Sequence, residues 1–164
     1  MKWLTFINER LSRWAMYIAC TGLASLVLVV DYSVLMRYVF NDAPAFAEQT
    51  ALLLVITVAM FGASAGVRDA GHIGMDTLVA FLPKKVHKQI NIIVSCINFT
   101  FGGVLLFGCL LMAESVHSSV IPTLGISESF RYAPPIIAGA LIILFSVEHL
   151  LALLGNTKVT KSWH

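Results

Sequence analysis

Few ionisable side chains lie inside the apolar stretches of this chain, and in a membrane protein such residues are the first candidates for chemistry. They are Asp31, Glu48, Glu148 and His149, with Glu114 and His117 just beyond the outer end of the third stretch. Each lies within about two helical turns of the end of its stretch, where nearby water reduces the cost of a charge. A proton relay or an ion site needs a carboxylate closer to the centre of the membrane. We therefore expect these side chains to form ion pairs with neighbours near the membrane surface.

Sequence position suggests which charges pair. Arg37 and Glu48 flank the same short loop and are expected to contact each other. Glu148 is expected to meet either Arg68 or one of the arginines near the N-terminus.

Polar residues near the middle of the apolar stretches are sparse. They are Ser25, Thr57, Asn98 and Thr100. Asn98 is the most costly of them to leave without a hydrogen bond in hydrocarbon, so it is predicted to bond another helix, in this chain or in a partner. The set is too small for a polar substrate site. There is also no phosphate-binding loop, no H-E-x-x-H motif and no nucleophile spaced with a base. We predict no enzymatic activity, no catalytic, cofactor-binding or metal-binding residue, and no nucleic-acid partner.

The three cysteines do not indicate redox or metal chemistry. Cys20, Cys96 and Cys109 are odd in number, lie inside apolar stretches and form no C-x-x-C pair. A membrane thiol enzyme needs paired, accessible cysteines. These cysteines are best interpreted as small apolar side chains in helix packing.

The elements that carry these residues are four long apolar stretches, at about 14–36, 45–67, 89–113 and 132–154. Each is long enough for a helix to cross a hydrocarbon core of about 30 Å, which takes about 20 residues. The chain has 164 residues, of which 58% are hydrophobic and 12% charged. The predicted fold is an all-α integral membrane protein with four transmembrane helices in a single membrane domain.

Basic residues predict the orientation of these helices. Nine of the eleven lie before the first stretch, between the second and third, or after the fourth. By the positive-inside rule both termini are then cytoplasmic, and the loops at 37–44 and 114–131 face outward. The first stretch is too long for a signal-peptide core and has no A-x-A-like site after it, so we expect it to be retained.

Two segments near the inner face are expected to lie along the membrane surface. Residues 1–13 mix apolar and polar residues and should lie in the interface before the first span turns inward. Residues 72–82 have apolar residues at intervals of three and four, which predicts a short interfacial amphipathic helix, with a plain loop as the alternative. Lys84, Lys85 and Lys88 follow it and would anchor the chain to anionic phospholipid.

Small residues indicate where helices approach closely. Gly62 and Gly66 form a small-xxx-small pattern in the second stretch, and the first stretch carries Ala15, Ala19 and Gly22. Such residues allow close backbone contact in lipid, although the spacing also occurs by chance. The four helices are expected to be continuous, and Gly102–Gly103 is the only candidate for a weak point. No internal repeat is visible.

One ordered series of residues resembles a known family. It consists of Arg37-Tyr38-Val39-Phe40-Asn41, Pro44, Glu48, Gly62, Arg68, Gly71-His72-Ile73 and Asp76. The series is similar to the DctQ-like small permease subunit of tripartite ATP-independent periplasmic (TRAP) transporters. The match is good over about residues 10–85, and the second half agrees mainly in the number and length of its spans. The chain departs from the family at Phe46, where tryptophan is common, and at Gln49, where a second acidic residue is common.

The resemblance implies a role in transport. TRAP systems import organic acids, such as dicarboxylates or sialic acid, across the bacterial inner membrane with a sodium gradient. A periplasmic binding protein delivers the substrate, and a large permease subunit holds the substrate and sodium sites. The small subunit would scaffold and anchor that large subunit, and its outer loops, near 41–46 and 118–130, would lie where the binding protein docks. The candidates for structural roles or partner contacts are Arg37, Asn41, Glu48, Gly62, Gly66, Arg68, His72, Asp76 and Asn98.

Two other classes of protein stay open at this point. One is a self-contained four-helix exporter, which would depend on a carboxylate in its first span, here Asp31. The other is a membrane scaffold unrelated to transport.

Overall fold

The computed structural model describes residues 2–42, 44–69 and 84–154, and within them the side chains of residues 5–42, 44–69 and 89–153. Four helices are present there: α1 (Lys2–Val39), α2 (Ala45–Asp69), α3 (Lys84–Ser115) and α4 (Ala133–Leu154). A short 3-10 helix, Glu128–Tyr132, precedes α4. All four helices are long and apolar enough to cross a membrane, which confirms the predicted all-helical class. The predicted interfacial helix at 72–82 lies outside the described residues, as do His72 and Asp76.

The helices run alternately up and down, and their main contacts follow the order α1, α2, α4, α3. The helix α4 is therefore central, with α2 on one side and α3 on the other. In α4, 50% of the most apolar segment is buried inside the protein, against 6% in α1 and 11% in α3. The two outer helices thus expose long apolar faces. We call the end of the bundle where α1 begins the N-terminal end, and the opposite end the distal end.

The first helix differs from its prediction. Residues before Trp14 continue α1 without a turn, so the helix has 38 residues and is about 57 Å long at 1.5 Å per residue. Asn8 and Ser12 are buried on the same face of α1 as Ala15 and Ala19. The start of α1 therefore packs against the bundle along the helix axis and does not form a separate segment lying across it.

Close helix contacts occur at small residues, though not at all the expected ones. Ala15 and Ala19 of α1 pack with Phe61 and Ala65 of α2. A Cβ placed on Gly22 would lie 3.0 Å from Val58 Cγ2, so α1 and α2 approach closely there as well. Small side chains on the inner face of α1 therefore make the close contact that their spacing predicts.

The tightest approach joins α3 and α4. A Cβ placed on Gly139 would lie 3.0 Å from the backbone nitrogen of Leu106 and 3.1 Å from the carbonyl oxygen of Gly102. The helix α3 runs through Gly102–Gly103, the candidate weak point, without interruption. Gly102 serves close packing instead.

Gly62 and Gly66 do not make the close contact expected of them inside this chain. A Cβ on either residue would meet no described atom within 4 Å. The glycines lie beside the buried stripe of α2, which includes Phe61, Ala65 and Arg68.

Candidate functional site

A buried ionic cluster occupies the N-terminal end of the bundle, and Arg68 is its centre. The side chain of Arg68 has no exposed surface. Its Nε lies 3.2 Å from Glu148 Oε2 and its Nη2 lies 3.4 Å from Glu148 Oε1, so the guanidinium and the carboxylate make contact at two points. Arg68 lies in the last turn of α2 and Glu148 near the end of α4. This pair is one of the two that the sequence predicts for Glu148, and the structure selects it.

The first helix completes the cluster with polar side chains. Asn8 Nδ2 donates to Glu148 Oε2 at 2.9 Å, and Ser12 Oγ donates to Asp69 Oδ2 at 3.1 Å. Asp69 Oδ1 in turn lies 3.5 Å from Arg68 Nη1. Both Asn8 and Ser12 are almost fully buried. One network therefore joins α1, α2 and α4.

Two further residues of α4, His149 and Phe145, contact Arg68. His149 Nε2 lies 3.2 Å from the carbonyl oxygen of Arg68, which fits a ring N–H donating to the last turn of α2. The guanidinium carbon of Arg68 lies 6.0 Å from the centre of the Phe145 ring, within range of a cation–π interaction. Phe145 is fully buried and belongs to the apolar core.

This arrangement is better suited to holding the three helices together than to catalysis or ligand binding. Each oxygen of the two carboxylates already accepts a hydrogen bond or faces the guanidinium. Among the described residues, no group of three or more His, Cys, Asp or Glu side chains could hold a metal ion. Removing one member of a buried ion pair costs about 3–5 kcal/mol, because its partner is left charged and unpaired. The cluster thus favours a single arrangement of three helices.

Sequence reasoning missed Asn8 and Ser12 as members of the cluster. The signal lay in their spacing, because positions 8, 12, 15, 19 and 22 follow intervals of four and three and fall on one face of a helix. The expected interfacial segment at 1–13 hid this continuity.

The other predicted site residues are scattered. Arg37 and Glu48 are both exposed and form no ion pair within the described part of the chain, so that predicted pair is wrong. Instead, Arg37 lies in the last turn of α1 and Glu48 in the first turn of α2. Each charge there has the sign that stabilises a helix dipole. Asn98 is half-buried in α3 and makes no hydrogen bond to any described residue. Its predicted bond, if formed, is to something outside this part of the chain.

Asn41 ends the first helix. Its φ of 50° is the left-handed conformation, which Asn adopts more readily than other residues that have a Cβ. The N–H of Asp42 then donates to the carbonyl oxygen of Met36 at 3.1 Å. The asparagine of the R-Y-x-F-N series therefore has a local structural role at the distal end.

A second polar group joins two helices at the distal end. Arg131 Nη2 donates to Gln49 Oε1 of α2 at 3.1 Å, and Arg131 Nη1 lies 3.3 Å from Glu128 Oε1. Ser129 Oγ donates to the carbonyl oxygen of Ala113 at 2.6 Å, which holds the connection before α4 against the end of α3. The connection is thus an ordered surface with Phe130 exposed on it.

Comparison with known proteins identifies the family to which this architecture belongs. Residues 26–156, well over half of the chain, match the model of the DctQ component of tripartite ATP-independent periplasmic transporters. The chain belongs to the DctQ family. This DctQ-family chain is therefore a small-permease type of TRAP transporter component, and its four apolar helices make it a multi-pass membrane protein.

Its relatives carry matching names. A TRAP transporter small permease protein of Haemophilus influenzae is 23% identical over 144 residues, which are 86% of this chain and 87% of the relative. The C4-dicarboxylate TRAP transporter small permease protein DctQ of Vibrio cholerae is 24% identical over 65% of this chain and 46% of its own length. The sialic acid TRAP transporter permease protein SiaT of Haemophilus influenzae is 30% identical over 99% of this chain, which spans only 25% of SiaT.

Proposed function

We propose that this chain is the small membrane subunit of a sodium-driven TRAP transporter that imports organic acids across the bacterial inner membrane. In this role it scaffolds and anchors a large permease subunit, and a periplasmic binding protein brings the substrate. One observation carries the proposal. The buried ionic cluster is satisfied by residues of this chain, while the two outer helices expose long apolar faces.

The buried cluster supports a static role. Arg68, Glu148 and Asn8 fix three helices relative to each other, so a change in their packing would leave buried charges unpaired. A moving transport element needs polar groups that change partners, and this cluster is better suited to holding one position. A rigid row of helices offers a fixed surface against which a larger subunit can move.

The exposed outer helices support a partner in the membrane. With only 6% of the apolar segment of α1 and 11% of that of α3 buried, most of both helices faces lipid or another protein. SiaT supports the second choice, since its region similar to this chain is one quarter of a longer permease. We infer that this chain contacts the equivalent of the remaining three quarters.

The orientation completes the proposal. We infer from the positive-inside rule that both termini and the 70–83 segment are cytoplasmic, because nine of the eleven basic residues lie before the first span, between the second and third, or after the fourth. The side chains of Lys84, Lys85 and Lys88 lie outside the described ones, and in this orientation we propose that they bind the anionic lipid of the inner leaflet. An alternative exporter based on Asp31 is not favoured, because Asp31 is exposed on α1 and lies on the face opposite Val29 and Ser33, which are partly covered.

Co-purification tests this function directly. The tagged chain is expressed with the products of its neighbouring genes and isolated in mild detergent, and the complex is then placed in liposomes with the binding protein. We expect a stable complex with a large multi-span permease, and uptake of an organic acid that requires an inward sodium gradient. A chain recovered alone, or uptake that does not respond to sodium, would contradict the proposal.

Docking of the binding protein at the distal end needs a separate test. Glu128 and Arg131 pair with each other, so reversing one charge also breaks their contact. The exchange Glu128→Arg with Arg131→Glu keeps a pair of opposite charges and reverses their order, but it also removes the hydrogen bond from Arg131 to Gln49. Gln49→Leu removes that hydrogen bond alone and is the control, while Phe130→Glu adds a charge to an exposed apolar side chain. We expect the exchange and Phe130→Glu to weaken binding-protein affinity and uptake while the membrane complex stays intact. Unchanged affinity in both would place docking elsewhere.

A further inference from the structure

The face of α1 that points away from α2 has a regular pattern of its own. The inner face, at positions such as Ala15, Ala19 and Gly22, is buried. Opposite it, six exposed residues follow intervals of four and three, and we call them the α1 seam: Tyr17, Thr21, Ala24, Leu28, Asp31 and Leu35. Trp14 and Tyr38 continue the same intervals at the two ends. Every face of a helix repeats at these intervals, and the side chains along one such line can contact a neighbouring long helix at a small crossing angle.

Asp31 distinguishes this seam from an ordinary lipid-facing surface. It lies seven residues before Tyr38, about 10 Å along the helix axis, and Tyr38 suits the interfacial aromatic belt. The side chain of Asp31 is exposed, and it makes no hydrogen bond or ion pair with any residue that the structure describes. Long basic side chains can reach the interface from such a depth, but an aspartate has a short side chain. A carboxylate that faces hydrocarbon without a partner is costly.

Small residues add a second argument for a protein partner. Thr21 and Ala24 are smaller than Tyr17 and Leu28, which lie on either side of them along the seam, so the helix surface is indented between the two larger residues. The hydroxyl of Thr21 is within hydrogen-bond distance of the carbonyl oxygens of Tyr17, at 2.8 Å, and of Ile18, at 3.1 Å, so it needs no partner on another helix. Small residues let a neighbouring helix approach closely in a membrane.

We propose that the α1 seam is the surface on which a transmembrane helix of the large permease subunit packs, with a basic side chain of that helix paired to Asp31. The partner is identified by charge complementarity, since a buried carboxylate in a membrane needs a cation or a strong hydrogen-bond donor. The inference rests on the proposed function, because it takes the large subunit as the partner. It goes further by assigning α1, and not α3, as the contact helix.

Photo-crosslinking compares the two exposed helices. Cys20, Cys96 and Cys109 are first replaced by alanine, and a single cysteine is placed at Leu28 on the seam or at Val104 on α3. These two positions are 70% and 68% exposed, which makes them a matched pair. Each is labelled with a benzophenone maleimide in membranes that contain the large subunit, and then irradiated. We expect an adduct with the large subunit from Leu28→Cys and little from Val104→Cys.

Substitution of Asp31 tests the charge itself. Asp31→Asn should reduce recovery of the large subunit about tenfold, since a hydrogen bond between charged groups is lost, and Asp31→Glu should restore part of it. Glu114→Gln removes another exposed carboxylate, at the end of α3, and should change nothing. Each variant is first shown to be monodisperse in detergent, so that misfolding is detected separately.

The outcomes separate this inference from the proposed function. A complex that forms normally with Asp31→Asn, or crosslinks to the large subunit from α3 alone, overturns the seam while the subunit role stands. A Leu28 label that reacts only with lipid in an intact complex also overturns it. If no version of the chain recovers a large subunit, the proposed function fails as well.

Discussion

Arg68 shows how a single side chain can fix several helices. It lies in the last turn of α2, and its guanidinium contacts Glu148 of α4. Its Nη2 also donates to the carbonyl oxygen of Thr5 in α1 at 3.4 Å. A residue at the same position exposed to water would contribute little, because surface ion pairs are worth about 0–1 kcal/mol. Burial is what makes this one important.

Removing Arg68 should therefore destabilise the protein strongly. We expect Arg68→Met to lower the free energy of unfolding by about 3–5 kcal/mol, because the buried Glu148 loses its cation and the partly buried Asp69 loses a second contact. The protein is unfolded with a denaturing detergent, and the loss of helix packing is monitored as the detergent concentration rises. Arg13→Ala, which removes the exposed ion pair between Arg13 and Glu9, is the matched control and should cost at most about 1 kcal/mol.

A double substitution separates the charge from the packing. Arg68→Met with Glu148→Leu removes both members of the pair, and we expect it to be clearly more stable than Arg68→Met alone. If the single and double variants were equally unstable, the shape of the arginine would matter more than its pairing with Glu148.

Asn41 allows a second test at the scale of a residue. Its left-handed backbone should accept Asn41→Gly with little change, whereas Asn41→Val should cost about 1–2 kcal/mol because a branched Cβ crowds the following carbonyl oxygen. Thermal unfolding in detergent compares the two variants. Equal stability of the glycine and valine variants would show that the connection after α1 does not depend on this conformation.

At the scale of elements, the contact between α3 and α4 depends on two glycines. Gly139→Ala would place a methyl group 3.0 Å from the backbone nitrogen of Leu106, and backbone atoms on both sides cannot move aside easily. We expect a loss of about 1–3 kcal/mol in the isolated chain, as in other overpacked sites. Detergent unfolding monitored on α3 and α4 measures it.

Gly66→Ala is the matched control for that substitution. Its added Cβ would meet no described atom within 4 Å, and alanine favours a helix over glycine by up to about 1 kcal/mol. The isolated chain should therefore keep or slightly gain stability. A comparable loss at Gly66 and Gly139 would show that the two glycines are equivalent in packing, contrary to the structure.

At the scale of the whole molecule, the polar groups are concentrated at the two ends and the long apolar faces lie at the two sides. The ionic cluster holds the N-terminal end, and the contacts of Arg131 with Gln49 and Glu128 hold the distal end. Glutamate at position 49, one of the acidic residues that the resemblance leads us to expect there, would convert the Arg131–Gln49 hydrogen bond into an ion pair. Polar contacts thus hold the helices together at both ends and leave the apolar sides exposed, which fits the scaffold role proposed above.

We expect these polar contacts to matter for transport as well as for stability. Gln49→Glu should preserve uptake and raise the unfolding temperature slightly, since an ion pair of this exposure adds at most about 1 kcal/mol. Gln49→Leu removes the acceptor and leaves Arg131 with fewer partners, so it should lower both. Reconstituted uptake and thermal unfolding, measured on the same preparations, compare the three proteins.

Sequence alone determined the class of this protein. Helices that cross a membrane need only length and apolar composition, and both properties are local, so all four could be recognised without a structure. The sequence also predicted two possible partners for Glu148, and Arg68 was one of them. That prediction needed no structure, because a charge near the end of an apolar helix must find a partner. The order of the R-Y-x-F-N series and the residues after it pointed to the family, which the comparisons confirmed.

The tertiary structure decided which faces meet. Apolar side chains gain little by leaving lipid for another helix, so hydropathy does not distinguish the buried face of Ala15 from the exposed face of Leu28. Shape complementarity makes that choice, and it placed Gly139 against Leu106 while leaving Gly62 open. The same long-range packing brought Asn8 to Glu148, 140 residues away, and continued α1 through a segment whose composition suggested the membrane surface.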